Sequence, residues 1–104
     1  MYPYSSDAVD SLYDAVLRLK TREECYAFFD DLCTIKEIRD MSLRFEGAKM
    51  LDEGINYVKI SEKIGLSAAT ISRISRCLNY GAGGYRAAID RAKEEENEGS
   101  ADNS

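Results

Sequence analysis

YVKISEKIGLSAATISRISR, residues 57–76, reads as two short helices joined by a tight turn. Asn56 stands where an N-cap is needed, and the first helix runs from Tyr57 to Ile64. Gly65 then supplies a residue tolerant of positive φ, and Ser67 caps a second helix that begins at Ala68. Ile60, Ile64, Leu66, Ile71 and Ile74 are spaced so that the helices pack across the turn and onto the rest of a domain. The other positions of the second helix are small or hydroxylated: Ala68, Ala69, Thr70, Ser72 and Ser75, with Arg73 and Arg76 among them. This is the pattern of a helix-turn-helix whose second helix enters the DNA major groove. A purely structural αα-corner has the same apolar spacing. Its exposed face, however, would favour strong helix formers such as Glu and Lys over Ser and Thr.

Working outward, 104 residues make one small domain, and 44% apolar content suits a packed core. Pro3 is the sole proline, so long unbroken stretches point to an all-α fold. No apolar run approaches the roughly 20 residues of a membrane span, and the N-terminus lacks a signal-peptide pattern, so a cytoplasmic location is expected. The three cysteines, Cys25, Cys33 and Cys77, match no metal-site spacing and read as buried small hydrophobes. The chain has no histidine, the commonest general base, and shows no nucleophile–base pair; no enzyme activity, metal or cofactor is expected. The glycines at 81–84 follow a helix and read as its stop rather than as a phosphate loop.

The net charge of −5 is unevenly spread. From Tyr57 to Lys93 there are seven basic and two acidic residues, a local charge of +5; seven basic and seventeen acidic residues elsewhere give −10. A basic unit on an acidic body fits a DNA reader with a separate assembly region. Within it, Lys59 and Lys63 on the first helix and Arg76 on the second are the candidates for phosphate contact.

Before the motif, a first helix starts at Ser5 or Ser6 and reaches Lys20, with Ala8, Val9, Leu12, Tyr13, Val16, Leu17 and Leu19 in its apolar stripe. Thr21 with Glu24, and Thr34 with Glu37, read as capping boxes opening the next two helices. The second helix is apolar on more than one side (Cys25, Tyr26, Phe28, Phe29, Leu32, Cys33), which calls for a covering partner chain. The third runs to Gly54, either as one helix or with a break near Asp40 to Ser42, where its stripe shifts phase. The expected organisation is a dimerisation region over 1–55, the helix-turn-helix over 56–80, a C-terminal helix over 81–95 and a disordered tail over 96–104.

EECYAFFDDLCTIKEI, RFEGAKMLDEG, ATISRISRCLNYG and the following GGY together resemble the tryptophan-repressor-like family, in particular its YerC/YecD branch, across residues 5–93. The resemblance implies an intertwined all-α homodimer of about six helices per chain that binds operator DNA and regulates transcription. It places the start of the recognition helix at Ser67, Ala68, Ala69 and Thr70, with Ser72 one turn on. Small residues there suit contact with base edges and bridging water. It also implies an effector pocket. Two arginines that flank a bound tryptophan in the repressor correspond to Arg44 and Arg73. The repressor's glycine after the second arginine is Ile74 here, and its ligand-contacting serine is Cys77. A branched side chain in place of glycine would fill the indole slot, so a small-molecule effector, if there is one, is expected not to be L-tryptophan. The leading reading is a dimeric repressor of a metabolic operon, with amino-acid biosynthesis suggested by the family. The alternative is a helical protein-interaction module that has lost DNA binding, which the acidic balance favours.

Overall fold

The computed structural model describes residues 2–102, with side chains through residue 99. Among these residues there are six helices and no strand: α1 (Asp7–Leu17), α2 (Arg22–Leu32), α3 (Ile35–Asp52), α4 (Tyr57–Ile64), α5 (Ala68–Tyr80) and α6 (Gly84–Asp102). The chain forms two compact units, one through Ile38 and one from Arg39 onward.

In the first unit the helix starts follow local hydrogen-bonding chemistry. Ser6, rather than Ser5, caps α1, its Oγ accepting the Val9 N–H at 3.2 Å. The helix stops at Leu17 instead of Lys20. The Arg18 and Leu19 amides tighten onto the Ala15 and Val16 carbonyls, and the Lys20 N–H is donated to Glu24 Oε2 at 2.7 Å. Thr21 Oγ1 accepts the Glu24 N–H, so the first capping box is present with its Glu reaching one residue further back than usual. The second box is reciprocal. Thr34 Oγ1 accepts the Glu37 N–H at 3.1 Å and Glu37 Oε1 accepts the Thr34 N–H at 2.9 Å; hydrogen bonds from the Thr34 backbone N–H and then its side chain hold the Glu37 carboxyl below its ordinary value.

No described side chain of this unit is buried. Leu17 is 81% exposed and Tyr26 73%, and Tyr13, Leu32 and Ile35 are exposed as well. Phe28 and Phe29 meet edge to face at 5.5 Å and are half-buried. Cys25, expected to be buried, is exposed, and so is Cys77 in the second unit; all three cysteines are free thiols.

The second unit holds the core. Here α3 is continuous: Ser42, inside the stretch where a break was an alternative, bonds its hydroxyl to the Arg39 carbonyl at 2.8 Å, and no turn interrupts the helix. It ends in a Schellman motif. The Gly54 N–H reaches the Leu51 carbonyl, the Ile55 N–H reaches that of Met50, and Gly54 takes φ +84°. Ile55 packs against the buried group that contains Met50, in keeping with the apolar contact that accompanies this motif.

Two groups of buried side chains hold α3, α4, α5 and α6 together. One is Ala48, Ile74, Leu78 and Ile89; the other is Met50, Ile60 and Ile71. Leu51 and Leu66 touch both. All five apolar residues singled out in the helix-turn-helix therefore take part.

Asp52, its side chain 11% exposed, adds a polar clamp. It accepts from Arg86 Nη1 at 2.7 Å and from Lys93 Nζ, two residues of α6, and Arg86 also pairs with Asp90 at 3.3 Å. Hydrogen bonds from Lys93 and then Arg86 hold the Asp52 carboxyl below its ordinary value. A lowered folded-state value stabilises the fold above the unfolded carboxylate pKa and ceases to do so as pH falls through the folded one. Asp52→Asn is therefore expected to cost about 1 kcal/mol or less at neutral pH, because both cations are half-exposed. Below about pH 4 the gap between variant and wild type should close. Urea unfolding at both pH values checks this; a gap that is independent of pH would contradict it.

The C-terminal helix corrects the sequence reading. It does not stop at Glu95 but continues through Asp102, so the tail expected to be disordered from 96 is helical as far as it is described; Asn103 and Ser104 lie outside the described residues. Glu94, Glu95 and Glu96 are good helix formers, and no proline interrupts the turn they extend.

Candidate nucleic-acid interface

The helix-turn-helix is built from α4, α5 and the three residues between them. Asn56 Oδ1 accepts the Lys59 N–H at 2.9 Å and starts α4. Gly65 closes it with φ +76° and its N–H on the Ser61 carbonyl. A Cβ at Gly65 would meet nothing within 4 Å, so the backbone conformation, not crowding, selects glycine. Leu66 turns inward to the core, and Ser67 opens α5.

Ser67 and Thr70 form a pair. Ser67 Oγ accepts the Thr70 N–H at 3.2 Å and donates to Thr70 Oγ1 at 3.0 Å. With Thr70 accepting from Ser67, its own hydroxyl proton is left for an outside acceptor. Ala68, Ala69 and Ser72 are exposed around this pair, while Ile71, Ile74 and Leu78 occupy the opposite, buried side of α5. A narrow polar surface of small side chains results, able to come within hydrogen-bond distance of base edges.

The charges around it are uncommitted. Lys59, Lys63, Arg73 and Arg76 are exposed, and among the described residues none of them makes an ion pair. Arg86 and Lys93, counted in the same basic stretch, are instead held by Asp52. Of the seven basic residues in that stretch, the four on α4 and α5 are therefore exposed and, among the described residues, without an ion pair, as is Arg91 on α6.

The residues assigned to an effector pocket fare differently. Arg44, Arg73 and Cys77 are exposed, and no hydrogen bond or ion pair joins them. Ile74 is 2% exposed and belongs to the core. A Cβ placed on Gly47 of α3 would stand 3.3 Å from Ile74 Cδ1 and 3.4 Å from Leu66 Cδ1. The branched side chain therefore fills the space directly against α3. A shallow concavity of about 240 Å³ lies elsewhere in this unit, between Phe45, Asp52, Ile89 and Lys93, and includes none of the four. The Asp52 clamp was missed in the sequence because its partners lie 34 and 41 residues away, where no local pattern marks them.

Among the described residues, six helices with a capped, glycine-turned helix-turn-helix, its outer face small, polar and cationic, have the build of a helical DNA-binding regulator. The family model described as Trp repressor protein matches residues 7–93, and the chain belongs to that family, whose members bind DNA, typically as dimers. It is 55% identical over 92 residues to the uncharacterized protein YerC of Bacillus subtilis strain 168, covering 88% of each chain, which places it in the YerC branch. It is also similar to two solved structures. One is a Trp repressor candidate from Staphylococcus aureus, with TM-score 0.82 and 47% identity, covering 86% of this chain and 89% of that one. The other is a TrpR-like protein from Eubacterium eligens ATCC 27750, with TM-score 0.83 and 50% identity, covering 86% and 92%.

Proposed function

We propose that the chain is a homodimeric, sequence-specific transcriptional repressor of a metabolic operon, amino-acid biosynthesis being the theme the family suggests. It would bind a palindromic operator in the cytoplasm through two helix-turn-helix units. The observation that carries this reading is the outer face of α5: the Ser67–Thr70 hydroxyl pair and Ser72, flanked by Arg73, Arg76, Lys59 and Lys63 without ion-pair partners. Ala68, Ala69, Thr70 and Ser72 would meet base edges, and Lys59, Lys63 and Arg76 the phosphates. The two-fold arrangement is supported by the first unit, whose helices bury no side chain within one chain. Two recognition helices roughly 34 Å apart require half-sites one helical turn apart.

Selection of bound sequences from random duplex DNA, with and without amino acids, tests the reading. It should return a palindrome, with affinity falling steeply as salt rises. Binding to no duplex, or to an asymmetric site, would contradict it, and the first of these would favour the protein-interaction module.

A small-molecule effector, if it occupies the site implied by Arg44, Arg73 and Cys77, must fit beside Ile74, which is already packed on Gly47. L-Tryptophan should therefore give no saturable heat at micromolar concentration by titration calorimetry, and should leave operator affinity unchanged. A saturable isotherm would show that the core around Ile74 opens.

A further inference from the structure

We propose that Tyr80, at the C-terminal end of α5, is an additional DNA contact: its phenol hydroxyl donates to the phosphate backbone at the rim of the groove that the start of α5 enters. This rests on the DNA-binding reading above and adds a residue that neither the helix-turn-helix pattern nor the family resemblance assigns.

Tyr80 is 88% exposed, more than any other large hydrophobic residue described. Among the described residues it has no hydrogen bond or ring contact. Along α5, Ala69, Ser72, Arg76 and Tyr80 succeed one another at three- and four-residue steps, which puts them on one face of the helix. That face is opposite Ile71, Ile74 and Leu78. The last aromatic ring of the helix therefore stands in line with the proposed reading residues and beside an unpaired guanidinium.

The reach is right for phosphate and wrong for bases. At 1.5 Å per residue the Cα of Tyr80 lies about 15 Å along the axis from that of Thr70. For α5 entering end-on a major groove about 8.5 Å deep, with its first turn on the floor, Tyr80 would sit roughly 6 Å beyond the rim. Side chains on a helix lean toward its N-terminus, so the phenol points back over the turn that holds Arg76 and toward the rim.

The surroundings hold Tyr80 in place while leaving it uncovered. The Gly81 N–H closes on the Cys77 carbonyl at 2.9 Å, and a Cβ at Gly81 would stand 2.4 Å from that same oxygen, so the end of α5 is sealed by a residue that only glycine satisfies. Cβ atoms at Gly83 and Gly84 would meet nothing within 4 Å, so the turn after α5 is uncrowded at these two positions. The neighbouring polar side chain is folded away, the Asn79 amide donating to the Ser75 carbonyl at 2.9 Å. The tyrosine hydroxyl is thus a free donor at this end of the helix, one turn beyond the unpaired Arg76. The uncompensated Arg73 and Arg76 on the same helix select an anionic strand as its partner over an apolar protein surface.

The test uses the full chain, wild type and the variants Tyr80→Phe, Tyr80→Ala and Arg76→Ala. The probes are a labelled duplex of roughly 30 bp selected by the wild-type chain and a scrambled duplex of the same length, each titrated at several salt concentrations. Tyr80→Phe should weaken binding about 3- to 10-fold on both duplexes, because phosphate contacts carry no sequence information. The slope of affinity against salt should stay unchanged, since a phenol releases no counterion, whereas Arg76→Ala should lower that slope by about 0.9 per contact. Tyr80→Ala should lose at least as much as the Phe variant and keep the wild-type sedimentation and thermal midpoint. Binding of the Phe variant within twofold of wild type would overturn the inference while leaving the DNA reading intact. So would a change of oligomeric state in the Ala variant, which would make Tyr80 a protein contact. Absence of salt-sensitive binding by the wild type to either duplex would overturn both.

Discussion

Replacing Thr70 with tryptophan should lower affinity for a selected operator about 100-fold or more while leaving the protein folded and its oligomeric state unchanged. The size follows from position and symmetry. Thr70 is half-buried at the first turn of α5, in the small-residue surface formed with Ala68, Ala69 and Ser72. A ring there would hold the helix off the base edges. Each base-pair mismatch typically costs roughly 1–3 kcal/mol, and a dimer would incur the loss at both half-sites. The helix itself should survive, because the cap bond uses the Thr70 backbone N–H and the Ser67 hydroxyl, both present in the variant. Ser67→Ala is a poorer probe, since it removes that cap and costs about 1 kcal/mol of helix stability besides any DNA contact. Thr70→Val separates the steric effect from the chemical one. It keeps the shape and deletes the hydroxyl, and about a tenfold loss on the selected duplex alone is expected for one hydrogen bond. Gel shift on selected and scrambled duplexes, with circular dichroism as the folding control, measures both. Unchanged operator affinity of the tryptophan variant would remove α5 from the interface.

Much of the helix-turn-helix could be anticipated because its determinants are local. Asn56, Gly65 and Ser67 act within three or four residues of themselves, and the structure realises each: a capped start, a left-handed stop and a second capped start. Apolar spacing across the turn is equally short-range, and Ile60, Ile64, Leu66, Ile71 and Ile74 all reach the core. What depended on distant partners was not legible. Asp52 looks in sequence like one more surface acid at the end of α3, yet it is the anchor for Arg86 and Lys93. That clamp removes two charges from a stretch whose basic count pointed to nucleic acid, so the charge count alone overstated what is available to DNA. Ile74 shows the intermediate case. Its bulk, set against the family's glycine, already implied a filled slot. That Ile74 packs directly against Gly47, the glycine of α3, required the fold.

The two misread helix ends have separate causes. At Lys20 the stripe of α1 continues on paper, but the Glu24 carboxylate takes the amide that another turn would have used. At Glu95 the polarity of the remaining residues suggested disorder, whereas helix propensity needs no apolar face to extend a helix already nucleated on a core. Near Asp40 to Ser42 the change of stripe phase coincides with the boundary between the two units, not with a break in α3. A shifting stripe records a change of neighbours as readily as a kink.

The first unit leads to the other large effect, on assembly. Leu17→Asp on α1 or Tyr26→Asp on α2 should convert the proposed dimer of ~23 kDa, twice the 11.7 kDa chain, into monomer or unfolded chain at low micromolar concentration. Both side chains are more than two-thirds exposed in the single chain, and no side chain around them in this unit is buried. Fully burying such a side chain is worth about 1.5–3 kcal/mol, and an isologous interface gains it twice. An aspartate in the same place forfeits that gain and adds the cost of an unpaired buried charge. Together these exceed the roughly 4 kcal/mol that separates a nanomolar from a micromolar dimer. Dissociation and unfolding should be coupled, since α1 and α2 have no core of their own. The wild-type thermal midpoint should therefore rise over a roughly 100-fold increase in protein concentration. Sedimentation equilibrium and melting curves at several concentrations test this. A wild-type midpoint independent of concentration, or aspartate variants that stay dimeric, would show that these helices are closed by something other than a second copy of the chain.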